Sequence, residues 1–475
     1  MGRSEEEWEE IRRERRKKRK RQVLMTRLIF GIFLLACVAL AAFLIFRTIG
    51  SSSGKQNTPG TTDTQGTVSD QQTAVTEKGE DPQTAGTENG AQGETEAVTE
   101  VQSETQTEYD ASQLTAWEPT KVTHVFFHSL VVDPSKAFSL TGDSGWDSMT
   151  PGFCQWMTTV YEFNQMLQQM YDKGYILIDM HEMIDETTDE SGTVHVTPKS
   201  VMVPNGKIPV VMSFDDLSYY HAYDNRGIAS KVVLDENGKP VCEYIREDGT
   251  VETGDYDYIP ILDKFLEAHP DFSWHGAKGT IALTGYNGIL GYRTDIDYKV
   301  KEHLMTDQAQ WLDAHPDFDW DAECAEARKV AQAIKDDGWV FASHTWGHMH
   351  IGDASLEKIK EDTDKWEQYV APLIGGSDTI IFAHGQDLAN WDQDYASTDK
   401  FKYLKSQGFD IFCNVDSTQY YVQIGDEYLR MGRRNLDGYR LWQCVYGGKD
   451  EVSDLFDASS VIDPDRPSDA SFYSL

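Results

Sequence analysis

Two short runs in this sequence end on side chains suited to holding a metal ion. One is Ser213-Phe-Asp-Asp216 and the other is Ser343-His-Thr-Trp-Gly-His348. A carboxylate with two neutral imidazoles, here His344 and His348, is an open ligand set for a catalytic divalent ion and leaves a position for water. The second carboxylate of the Asp215–Asp216 pair is then free to act as a base. Zinc suits a donor set that mixes imidazole and carboxylate. A spacing of four puts both histidines on one face if their segment is helical, where they grip one ion. The bland readings are a chance H-x-x-x-H on a surface and an Asp-Asp pair in a turn or cap. Both runs stand directly behind buried apolar stretches, 208–214 and 339–343, and that shared placement favours a site. Trp346 and His350 read as wall residues rather than ligands.

Strands and helices must carry these groups to one place. Apolar runs at 122–127, 175–178, 208–214, 278–283, 339–342, 379–382 and 409–415 read as buried strands. Helical spacing falls between them at 158–172, 259–268 and 322–336, with Gly174 and Gly338 as stops. Repeated strand–helix units imply a parallel sheet covered on both faces. Seven of them close most economically into a distorted (β/α) barrel, with its chemistry at the carboxyl ends of the strands. The Asp pair and the His pair both fall there. The stretch 226–256 breaks the pattern, because Asn237-Gly238 and Asp248-Gly249 stand among β-formers. It reads as an inserted β-hairpin or three-stranded meander. The near-repeat of His269-Pro-Asp-Phe-Ser-Trp274 at His315-Pro-Asp-Phe-Asp-Trp320 reads as a helix-ending turn used twice rather than a sugar-stacking pair.

The remainder of the chain says where such a barrel works. Residues 28–46 are uninterrupted apolar or small residues, about the ~20 that span a bilayer as a helix. The basic segment 1–27 ahead of them places the N-terminus in the cytoplasm. Arg47-Thr-Ile-Gly50 is a poor cleavage site, so an uncleaved single-pass anchor in the cell membrane is expected. Residues 47–116 are mostly Thr, Gln, Gly, Ser and Glu, and read as a disordered acidic linker outside the membrane. The outer domain is then 117–475. The formal charge of −36 hides an asymmetry: residues 1–47 hold 12 basic against 6 acidic side chains, and the rest carries −42. An acidic outer domain argues against nucleic acid as a partner. Cys37 lies in the apolar stretch, while Cys154, Cys242, Cys324, Cys413 and Cys444 are scattered, odd in number and without C-x-x-C. They read as buried or incidental thiols, with a bridge or two permitted by an extracellular setting.

Over nearly all of 120–440 the sequence resembles the polysaccharide deacetylase superfamily, carbohydrate esterase family four, in its membrane-anchored bacterial branch. Ser213-Phe-Asp-Asp216 is similar to its first motif, and His344-Thr-Trp-Gly-His348 to its second, H-[ST]-x-x-H. His124-Val-Phe-Phe-His128, followed by the segment 162–175, resembles the opening of the branch acting on exopolysaccharide and cell-wall glycans. In that branch the first strand supplies the catalytic histidine. The resemblance implies that Asp216, His344 and His348 hold one divalent ion, that Asp215 is the general base and that His128 is the general acid. It leaves His384, Gly385, Trp346 and Tyr219 for the substrate and oxyanion side. Two departures stand out: Leu217 replaces the usual Gly, and Phe382-Ala-His-Gly385 replaces an aromatic-Pro-Tyr-Gly turn. The 128 residues from Asp216 to His344 also form a long separation for the family.

The expected chemistry is hydrolysis of N-acetyl groups on a cell-wall or extracellular N-acetylhexosamine polysaccharide. An amide needs an activated water, a sink for the oxyanion and a proton for its amine, which a metal, a carboxylate and an imidazole supply. One rival is an O-acetyl carbohydrate esterase, separated by which acetylated oligosaccharide releases acetate. Another is a glycan-binding surface protein with drifted motifs, favoured by Leu217 and the altered third motif and disfavoured by the intact Asp-Asp and His-His set.

Overall fold

The computed structural model describes residues 109–415 and 421–474. The expected membrane span at 28–46 and most of the expected linker lie outside the described residues. Among the described residues no helix is long and apolar enough to cross a membrane.

Eight parallel strands build the centre. They are β1 (Thr123–Phe127), β2 (Tyr175–Leu177), β3 (Ile208–Asp215), β4 (Thr280–Leu283), β5 (Val340–Ser343), β6 (Thr379–Ile381), β7 (Ile411–Val415) and β8 (Tyr428–Asn435). Seven close a ring in the order β3-β4-β5-β6-β7-β8-β1 and back to β3, every pairing parallel. This is the distorted (β/α) barrel expected, with one exchange of members. The run at 175–178 reads as a barrel stave in sequence, yet among the described strands β2 pairs only with the opening of β3, Tyr175 opposite Ile208. β4 takes over the same edge further along, with Thr280 opposite Ser213. The missing stave is β8, whose sequence Tyr-Leu-Arg-Met-Gly-Arg-Arg-Asn hides a strand behind its arginines.

Period-two alternation sorts the side chains. On β3, Val210, Met212 and Phe214 point out into the layer shared with the helices. Val211 joins the separate interior cluster with Ala282, Ala342, Ile381, Cys413, Leu429 and Met431. By the same alternation Ser213 and Asp215 face inward. Helix Val160–Asp172 packs Phe163, Met166, Leu167 and Met170 against the outside of this ring. It begins at a reciprocal cap, in which Thr159 N–H donates to Glu162 at 2.8 Å and Glu162 N–H donates to Thr159 Oγ1 at 3.1 Å. Glu162 is fully buried and receives Arg466, which ties the C-terminal segment to this helix.

The insert is a three-stranded antiparallel sheet, Lys231–Leu234, Pro240–Ile245 and Val251–Gly254, within the expected bounds. The repeated His-Pro-Asp-Phe segments do end helices: His269 caps Tyr258–Ala268 and His315 caps Thr306–Ala314. All five outer cysteines are free thiols, four of them buried. The linker boundary needs correction. Leu114–Trp117 is a strand paired antiparallel with Val201–Pro204, because Leu114 and Trp117 have an apolar cluster to pack on. The folded domain therefore begins before residue 116.

One buried acid braces the loop that follows β3. Asp257 caps helix Tyr258–Ala268 and accepts from Leu130 N–H at 2.9 Å and from the Tyr219 hydroxyl at 2.7 Å. Burial pushes its carboxyl up to about 6, against the pull of those hydrogen bonds. A carboxyl raised in the folded state gives stability that is present below its unfolded pKa and lost as pH rises through about 6. Asp257→Asn should therefore gain stability relative to the native chain between pH 4.5 and 7.5. Melting temperatures of both proteins at the two pH values check this, and an unchanged difference contradicts it.

Candidate metal centre

Three loops at the carboxyl ends of β3, β5 and β6 carry the expected groups. Asp215 is the last residue of β3, and Asp216 turns the chain with φ 62° while its N–H still reaches Ala282 O at 3.2 Å. Leu217, where the resembling family has Gly, is fully buried and packs into the hydrophobic core. His344 follows β5 directly. The segment 344–348 is not helical, and the reason is backbone geometry. Thr345 and His348 hold φ of 64° and 49°, left-handed values that no right-handed helix contains. Asp362 fixes this loop by accepting from Trp346 N–H at 2.7 Å and Gly347 N–H at 2.8 Å. The loop, not a helix face, brings the two imidazoles together, their centroids 5.0 Å apart. Asp216, Tyr219, Thr345, His348 and His384 all hold positive φ, so backbone strain gathers in these three loops.

Asp216, His344 and His348 each offer a ligand atom, and these atoms all lie within 4.8 Å of one another. His348 Nε2 is 3.5 Å from Asp216 Oδ2, and His344 Nε2 is 3.9 Å from Asp216 Oδ1. The donors also fit an ion in their protonation. His344 Nδ1 sits 2.8 Å from Ile381 O, a carbonyl that only accepts, so Nδ1 carries the proton and Nε2 presents its lone pair to the acids. Burial lowers the His344 pKa, outweighing Asp215 and Asp216, and keeps the ring neutral. Burial raises the Asp216 carboxyl, but His348, His344 and His128 together bring it below the ordinary carboxylate range.

Asp215 has a different partner. Arg433, on the inward row of β8, donates Nη1 to Oδ1 at 2.7 Å and Nη2 to Oδ2 at 2.9 Å. Both side chains are buried, Arg433 completely. Burial alone raises the Asp215 carboxyl; Arg433 first, then His344 and His128, pull it far below the usual range. Asp215 therefore stays ionised beside the ligand set, with Oδ2 3.9 Å from His344 Nε2. Sequence reasoning missed Arg433. The signal was there: Leu429, Met431 and Arg433 share one face at period two.

His128 extends the inward row of β1, after His124 and Phe126. Its Nδ1–H donates to Trp156 O at 3.1 Å, which leaves Nε2 free. His128 lies near enough to the acids to contribute to the lowering of both Asp215 and Asp216. His384 stands next to the centre. It donates Nε2–H to His348 O at 3.0 Å and stacks on His350 at 3.7 Å. Gly385 follows with φ 65°, its Cα against Val415.

Two expected substrate residues are misplaced. Tyr219 is 1 % exposed and spends its hydroxyl on Asp257 inside the core, because Asp216 has already turned the chain. Its neighbour Tyr220 reaches the site instead, donating to Asp216 Oδ1 at 2.7 Å. Trp346 is a packing residue: its ring fills the space over Gly285, and Lys365 caps it from 4.3 Å.

No protein-family model matches the chain, and no curated protein does. Solved structures do. A deacetylase of Streptococcus pyogenes, PplD, in complex with acetate, is 14 % identical over 69 % of this chain and 98 % of its own, with a TM-score of 0.34. BC0361, a polysaccharide deacetylase from Bacillus cereus, is 12 % identical over 73 % and 70 %, with a TM-score of 0.36. A de-N-acetylase from Aggregatibacter actinomycetemcomitans is 14 % identical over 67 % and 95 %, with a TM-score of 0.33. Values this low carry no function across, so the functional reading stands on the geometry of the site.

Removing one partner of the Arg433–Asp215 pair strands a buried charge, which costs about 3–5 kcal/mol. Arg433→Met should lose stability of that order, and adding Asp215→Asn to it should restore much of the loss. Denaturant unfolding of the single and double variants checks this; equal stabilities contradict it.

Proposed function

We propose that this chain is a metal-dependent deacetylase that hydrolyses N-acetyl groups of an extracellular or cell-wall N-acetylhexosamine polysaccharide. The observation that carries the reading is the convergence of Asp216, His344 and His348 on one point beside an acid that Arg433 keeps ionised. The motif resemblance, carried in part by the same residues, agrees with it.

Asp216, His344 and His348 would hold the ion, zinc by the character of the donors. A divalent ion held there supplies a Lewis acid that lowers the pKa of water and polarises an acetyl carbonyl. Asp215 accepts the proton of the attacking water. Arg433 keeps it ionised in the resting site and makes it a weaker base, so the water it serves must be an acidic one. His128, with Nδ1–H on the Trp156 carbonyl, would act in its doubly protonated form, giving the Nε2 proton to the departing amine nitrogen and being replenished by the proton that Asp215 took from the water. His384 and Gly385 form the side of the mouth next to His348, where the oxyanion and the sugar would be received. The expected anchor at 28–46 and the linker expected over 47–116 would tether the domain outside the cell beside that polymer, with the N-terminus in the cytoplasm.

Acetate release from an N-acetylglucosamine oligomer tests the activity, with the O-acetylated counterpart as the second arm. Asp215→Asn should keep a stoichiometric ion and lose most release, because an amide cannot take the proton. Loss of the ion from that variant would exchange or merge the roles of the two aspartates. His128→Ala should slow amide hydrolysis on the order of 10²–10⁴-fold and spare an activated acetate ester, whose alcohol leaves without help. An equal loss on both substrates removes His128 from leaving-group protonation. Preferential release from the O-acetylated oligomer makes the chain an esterase.

A further inference from the structure

The two oxygens of Asp216 have different neighbours. Oδ2 faces His348 Nε2, while Oδ1 receives the Tyr220 hydroxyl at 2.7 Å. That hydroxyl also lies 2.7 Å from Thr284 Oγ1, which lies 3.0 Å from Ser218 Oγ. An ionised carboxylate only accepts, so the single Tyr220 proton goes to Asp216. Thr284 must then donate to Tyr220, and Ser218 to Thr284. The direction of the whole chain, Ser218 to Thr284 to Tyr220 to Asp216, is set by counting protons. Ser218 and Thr284 are fully buried and Tyr220 is 6 % exposed, so water does not compete for these bonds. The Tyr220 ring is held as well, stacked on Tyr286 at 4.7 Å and 12° and edge-on to Tyr223 at 5.4 Å.

A carboxylate with one oxygen held in this way offers the other singly. Two imidazoles and one carboxylate oxygen, with a place for water, match the tetrahedral preference of zinc. Manganese prefers an octahedral, oxygen-rich shell, for which a carboxylate free to turn and bind through both oxygens is the better ligand. We propose that Tyr220, supported by Thr284, is a positioning residue that holds Asp216 as a one-oxygen ligand and so selects zinc over larger oxygen-seeking ions. This rests on the ligand set assigned under the proposed function.

The test uses the full-length chain stripped of metal. Zn²⁺ and Mn²⁺ are titrated separately against a competing chelator, in the native protein and in Tyr220→Phe, which keeps the ring and its stacking. Zinc affinity should fall on the order of 10–100-fold, as for loss of a partner that orients a ligand. Manganese affinity should fall less or rise, so the preference for zinc narrows, while the metal-free melting temperature stays unchanged. Thr284→Val, which leaves the Tyr220 hydroxyl its acceptor but removes its donor, should shift the preference the same way by less. It also serves if Tyr220→Phe fails to fold. Unchanged zinc affinity, or equal weakening of both ions as a merely structural role would give, overturns the inference. A native protein that binds neither ion one-to-one defeats the ligand set itself, and with it this inference.

Discussion

The ion pair between Asp215 and Arg433 crosses the interior of the barrel, and the rest of the site is arranged around it. Two charges this deeply buried hold together only with near-ideal geometry, which the two-pronged contact at 2.7 and 2.9 Å supplies. Strands β3 and β8 are separated in the ring by β1 alone, so the pair also fixes their relative register from within. Ser213, one inward step below Asp215, takes a further bond from Arg433 at 3.2 Å and contacts His124 Nε2 at 2.8 Å. The interior polar column is thus built on one cation, and that cation pulls down the pKa of an acid that burial alone would raise.

The pair also explains how two adjacent aspartates come to sit in different surroundings. Asp215 is the last regular residue of its strand and points inward by alternation, toward Arg433. Asp216 leaves the strand through a left-handed turn, so its carboxylate looks sideways to the histidines and to Tyr220. Identical side chains at neighbouring positions therefore meet a fixed guanidinium in one case and an open ligand set in the other. Environment, rather than residue type, separates the proposed base from the proposed ligand.

Much of this was legible in the sequence. The strands that precede the site are apolar and short, so β1, β3, β5 and β6 stood out together with the acids and histidines that follow them. Turn chemistry located the three-stranded insert, because Asn-Gly and Asp-Gly pairs need no tertiary information to be read. What escaped reading depended on contacts across the fold. Strand β8 carries Arg430, Arg433 and Arg434, and appears polar until Asp387, Asp215 and Asp454 are seen to neutralise them. The spacing of His344 and His348 puts both on one face only in a helix, and the loop instead takes left-handed residues that spacing cannot reveal. Tyr219 and Tyr220 were indistinguishable as neighbours; only the turn at Asp216 sends one to the core and the other to the site. Leu114–Trp117 lay in a polar stretch and was recognisable as a strand only with Val201–Pro204 beside it.

The central claim is a division of labour: three residues hold an ion while Asp215 stays on Arg433 as the base. Anomalous X-ray scattering at the zinc edge, from crystals of the metal-loaded domain, tests it most directly. The account predicts one peak about 2.0–2.2 Å from His344 Nε2, a His348 ring nitrogen and one Asp216 oxygen, with Asp215 still paired to Arg433. A mouth without a peak, or Asp215 drawn off Arg433 into coordination, would contradict it.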